Sequence, residues 1–126
     1  MRAVDTNVLV RLIARDDSRQ VVSAEAFVEK GAWVPLLALA EAAWVLVSVY
    51  DLSATALADA VEVLLHHRSL TLQDADMVAA ALDVFRTHRG VGFSDCLMLE
   101  LARKAGHLPL GTFDRGLARC EGAQRV

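Results

Sequence analysis

The 126-residue chain has only two cysteines, Cys96 and Cys120, and neither belongs to a Cys-x-x-Cys pair or to a cysteine and histidine run at zinc-ligand spacing. Neither a structural zinc site nor a disulfide framework is therefore indicated, and a reduced, cytoplasmic setting is expected. The glycine motifs of P-loops, dinucleotide-binding turns and serine nucleophile elbows are all absent, which removes those three chemistries. No signal peptide is expected either: "VLVRLIARDD" is short and interrupted, and Asp5 follows Arg2 closely. Gly31 to Tyr50 has the length of a membrane span and a single charge. Glu41, however, would lie near the hydrocarbon centre at about 2.5–3.5 kcal/mol, and Pro35 splits the run, so no membrane is expected. No repeat, low-complexity segment or linker interrupts the chain, and 55% hydrophobic residues suit one core-forming domain over 1–126.

What is present alternates between short apolar runs and helical periods. "RAVDT" reads as a short buried strand, and Val8, Leu9, Leu12 and Ile13 repeat at helical spacing after it. Ser18 is placed to cap a helix reaching about Lys30 and stopping at Gly31. "AWV" reads as a second strand, and Leu37 to Tyr50 as a nearly all-apolar helix. Ser53 is an N-cap for a helix to about His67, and "SLTL" is a third strand. Asp74 is placed to cap a helix ending near Arg89 and Gly90, and Ser94 one that carries Asp95 and ends at Gly106. "LPLGT" is a fourth strand, a short helix follows Asp114, and "AQRV" is a fifth strand. Strands separated by helices imply a parallel sheet covered on both faces, because parallel strands need crossovers. Ligand sites in such sheets lie beyond the carboxyl ends of the strands, where Asp5 and Asp114 fall.

Four acids sit in apolar surroundings: Asp5, Glu41, Asp95 and Asp114. Glu41 is the hardest to explain structurally. Leu37, Ala38, Trp44 and Val45 occupy its i±3 and i±4 positions, so no cation from its own helix can compensate a buried charge. Asp5 reads equally as an N-cap, Asp95 as a first-turn acid beside Ser94, and Asp114 as a turn residue. Taken together, hard oxygen ligands without histidine or cysteine are what Mg²⁺ or Mn²⁺ select, and Thr6, Asn7, Ser94 and Thr112 add neutral oxygens. By contrast Glu100, with Arg103 at i+3 and Lys104 at i+4, reads as an ordinary solvated pair. His66, His67, His88 and His107 fall at predicted element ends and suggest surface loops. The net charge of −3 argues at first against a polyanion partner, but setting the four acids aside as metal ligands leaves 13 basic residues against 12 acidic ones.

In "VDTNVLVRL", "LAEAAWVL", "FSDCLMLELARKAG" and "GTFDRGLAR" the chain resembles PIN-domain ribonucleases, and among them the VapC-type toxins of bacterial toxin-antitoxin pairs. That resemblance implies a three-layer α/β/α sandwich whose central, mainly parallel sheet has four to five short strands. It implies a metal-dependent endoribonuclease held inactive by a cognate antitoxin, with one or two Mg²⁺ or Mn²⁺ ions in each active site. Asp5, Glu41, Asp95 and Asp114 match the family's acidic quartet, and Thr112 its accessory hydroxyl. Cys96 stands where a small residue such as alanine is common, which raises a question of packing. Arg11, Arg15, Arg86, Arg89, Arg115 and Arg119 are candidates for substrate contact, and the apolar composition together with the resemblance suggests a homodimer. A haloacid dehalogenase-type phosphatase is the alternative chemistry, but it would want a second aspartate where Asn7 stands. A catalytically silent binding module of the same fold would be marked by a missing acid, and none is missing.

Overall fold

The computed structural model describes all 126 residues and has five short strands and seven helices. The strands are β1 (Arg2–Ala3), β2 (Ala32–Val34), β3 (Leu70–Leu72), β4 (Leu110–Thr112) and β5 (Ala123–Arg125). The helices are α1 (Thr6–Ala14), α2 (Ser18–Val28), α3 (Leu36–Ser48), α4 (Ala54–Leu65), α5 (Ala75–Thr87), α6 (Phe93–Ala105) and α7 (Arg115–Ala118). The chain forms two compact units, Met1–Ala75 and Asp76–Val126. Every strand pairing is parallel: β1-β2-β3 in the first unit and β4-β5 in the second. The expected class, a helix-rich α/β fold with short parallel strands, is the one found. No helix is long and apolar enough to cross a membrane.

In the first unit β2 is the middle strand, and its Ala32 and Val34 are buried. Val4 N donates to Trp33 O and Gln73 N to Val34 O, so both neighbours are tied to β2 at their carboxyl ends. Gln73 then extends its side chain to accept from Leu36 N at 2.8 Å, satisfying a first-turn donor of α3 that Pro35 cannot cap. The expectation of a buried first strand is corrected here. Arg2 and Ala3 are exposed because β1 is the outer strand of this sheet, and only Val4 enters the core. Arg2 instead lies over the Phe27 ring at 3.8 Å and donates to Phe27 O.

Three further expectations shift for identifiable reasons. Asp17, not Ser18, caps α2 by accepting from Gln20 N, and a charged acceptor is favoured at a helix start. Gly92, not Ser94, is the N-cap of α6, because Phe93 is buried inside the first turn and packs edge-on against Phe85 at 5.6 Å. Glu100 is not solvated. It repeats at i+7 from Phe93 on the face that buries Cys96 and Leu97, and is only 8% exposed.

Arg103 Nε donates to both Glu100 carboxylate oxygens at 3.3 Å, and its Nη2 reaches Glu121 O at 2.6 Å. Lys104 pairs with Asp76 at 3.0 Å, an exposed pair, and has a further interaction within the chain. Removing Arg103 would leave a buried carboxylate without its cation. Arg103 is itself partly exposed, so Arg103→Ala is expected to cost about 2 kcal/mol in chemical denaturation, below the range for fully buried pairs. Breaking the exposed pair from its other side, by Asp76→Asn, is expected to leave stability nearly unchanged in the same measurement.

Candidate functional site

Two of the four singled-out acids begin helices in the same way. Asp5 leaves the β1 segment in an extended conformation and accepts from Val8 N through Oδ1 at 3.3 Å. Asp114, just past β4, accepts from Leu117 N through Oδ1 at 3.0 Å. Each bond satisfies one orphan donor of a new helix and employs one carboxylate oxygen. The other oxygen, Oδ2, is left without a hydrogen bond from the helix start. Capping and cation binding are thus compatible in one residue.

The second unit brings Asp95 and Asp114 together. Asp95 lies in the first turn of α6, with Oδ2 3.6 Å from where Gly92 would carry a Cβ, so its carboxylate folds back over the helix start. A helix amino terminus favours the charged form. Partial burial, and then the nearby Asp114 carboxylate, outweigh that preference and raise the Asp95 pKa above 3.8. Thr112 Oγ1 accepts from Asp114 N at 3.0 Å, fixing the turn between β4 and α7. Within each unit no three histidine, cysteine, aspartate or glutamate side chains are grouped as a metal cage. A carboxylate pair with a neighbouring hydroxyl nevertheless fits Mg²⁺ or Mn²⁺, which keep several waters and use one or two carboxylates plus substrate oxygens.

A sequence model of the family described as the PIN domain matches residues 2–123. The chain belongs to the PIN-domain family. PIN domains are a family of metal-dependent nucleases, and the match spans all four acids. No curated protein and no solved structure matches the chain.

The first unit of this PIN-domain protein corrects the premise about Glu41. Its side chain is exposed, on a solvent stripe with Leu37, Trp44 and Ser48, while Ala38, Leu39, Ala42, Ala43 and Leu46 face the core. Apolar letters do not imply burial: Leu37 is 78% and Trp44 64% exposed. Asp5 is likewise exposed, so neither acid needs a partner to offset burial. Thr6 and Asn7 open α1, and Ser94 is the second residue of α6. A cleft of about 620 Å³ in this unit is lined by residues such as Leu12, Arg15, Glu29 and His67, and neither Asp5 nor Glu41 borders it.

Among the arginines, Arg11 donates to Gln20, Asp16 and the Tyr50 hydroxyl, and that hydroxyl donates to Asp16 at 2.8 Å. The Tyr50 bond holds Asp16 below the ordinary aspartate pKa. Arg15 pairs with Glu25 at 2.6 Å, and Arg86 has an interaction within the chain. Arg89, Arg115 and Arg119 are exposed and make no ion pair. The histidines sit at helix ends and loops as expected; His67 Nδ1, for example, accepts from Ser69 N. Both cysteines are free and buried. Cys96 fits without residual exposure, and burial pushes its thiol up to about 12, which makes it a core residue.

Because folded Asp95 holds its proton more tightly than the unfolded chain does, its contribution to stability falls as pH rises through the raised folded value. The destabilisation is therefore fully present only above the folded value and absent below about 3.8. In EDTA at pH 7, Asp95→Asn is expected to melt at or above the parent, with the difference vanishing toward pH 3.8. A variant that melts lower at pH 7 by the same margin as in acid would assign Asp95 to the packing of α6.

Proposed function

We propose that this PIN-domain protein is a Mg²⁺- or Mn²⁺-dependent endoribonuclease that acts as the toxin of a toxin-antitoxin pair. The observation that carries the reading is the Asp95 and Asp114 pair: Asp95 folds back over the start of α6, and the Asp114 carboxylate lies close enough to add to the rise in its pKa. A divalent cation would offset their charge, and Asp5 and Glu41 would complete the set as the family resemblance implies. Thr6, Asn7, Ser94 and Thr112 would supply neutral oxygens around it. Bound ions would supply a water nucleophilic near neutral pH and offset charge on the phosphate and the leaving oxygen. The caps on Val8 N and Leu117 N hold Asp5 and Asp114 at fixed positions, so little ordering remains for ligand binding. The proposed partners are RNA, a cognate antitoxin and a second copy of the chain, in the cytoplasm.

Asparagine caps helices nearly as well as aspartate and differs little in shape. Asp5→Asn and Asp95→Asn are therefore expected to keep the fold by circular dichroism. Each should lower RNA cleavage with Mn²⁺ by at least about 100-fold, since even partners one step removed from a metal are worth 10- to 100-fold. Parent-like cleavage by both variants would reduce the acids to caps. Turnover of a phosphomonoester without RNA cleavage would favour the phosphatase reading, and no metal-dependent activity of either kind would favour a silent binding module.

A further inference from the structure

The turn between β4 and α7 carries an aromatic ring that packing does not explain. Phe113, between Thr112 and Asp114, is 80% exposed, and it takes no part in the edge contact between Phe85 and Phe93. Arg115 opens α7 and Arg119 is its C-cap, both exposed and without an ion pair. The loop before α6 lies against the same turn: a Cβ on Gly116 would sit 3.6 Å from Val91 Cγ2 and 3.8 Å from Gly90 O. Arg89, also unpaired, directly precedes that loop. One short stretch of surface thus combines an exposed ring and three free cations with the carboxylate pair.

We propose that Phe113 is a stacking platform for an unpaired base of single-stranded RNA, with Arg89 and Arg115 meeting the adjacent phosphates. The proposal rests on the nuclease reading and assigns the residues that would hold the strand beside the carboxylate pair. Every base has a π-face that an exposed ring can cover, whereas in a duplex those faces are already stacked on neighbouring bases. Arginine beside the ring neutralises phosphate without reading sequence. The two carboxylates repel the same phosphates unless a cation is bound, so the cations at the rim set the approach of the strand.

The test uses the Asp95→Asn protein, in which the RNA stays intact, and fluorescence anisotropy with a labelled single-stranded oligoribonucleotide and its blunt duplex. Adding Phe113→Ala is expected to weaken single-strand binding about tenfold and duplex binding less than about twofold. Phe113→Trp should retain the affinity, and both changes should leave the melting temperature in place because the ring is exposed. Replacing Arg89 and Arg115 together by alanine should reduce the salt dependence of single-strand binding by a slope of about 1.4. Single-strand affinity unchanged by Phe113→Ala, or an equal loss on strand and duplex, would overturn the stacking role. An unchanged salt slope would overturn the phosphate contacts. Cleavage of the same strand by the parent with Mn²⁺ is read separately. Its absence would remove the nuclease reading, while the anisotropy result still decides the role of Phe113.

Discussion

Parallel pairing of very short strands is the constraint on which the rest depends. A parallel neighbour cannot be reached by a tight hairpin, so β1, β2 and β4 each pass, within a residue or two of their last paired position, into a helix. Each such helix opens with donors that have no partner in its own ladder. At β1 and β4 an aspartate satisfies one of them, and at β2 the Gln73 side chain does so from the next strand. The chain therefore places carboxylates at strand ends for a structural reason, and the cap uses only one oxygen of each aspartate.

The sequence made the element order legible because helical and strand periods alternate cleanly, and Ser53 caps α4 as its position suggests. Boundaries were less legible where several capping residues adjoin. In Asp16-Asp17-Ser18 the charged acceptor prevails, and in Gly92-Phe93-Ser94 the burial of Phe93 starts the helix early. The larger differences between sequence pattern and structure concern burial. Glu41 looked enclosed because its neighbours in sequence are apolar, yet α3 commits only one face to the core. Glu100 looked solvated because two cations follow it, yet its spacing from Phe93 puts it inside, and that spacing was the available signal.

For the candidate site, the residue types and their positions past strand ends are readable, and the influence of Asp114 on Asp95 is not, since it depends on the approach of the Gly90–Val91 loop to Gly116. The arginines illustrate the same limit. Arg11 and Arg15 match Arg89 and Arg115 in composition, but the first two are committed to Asp16, Tyr50 and Glu25, and the last two remain available. A basic side chain contributes to an interface only after its partners within the chain are known.

The central claim is that Asp95 and Asp114 together hold a divalent cation. Titrating Mn²⁺ into the parent and into the Asp95→Asn, Asp114→Asn double variant, followed by electron paramagnetic resonance of the free ion, tests it most directly. The parent is expected to bind, and the double variant to bind at least about tenfold more weakly while keeping its circular dichroism. Equal affinity in the two proteins, or no binding by the parent, would contradict the claim.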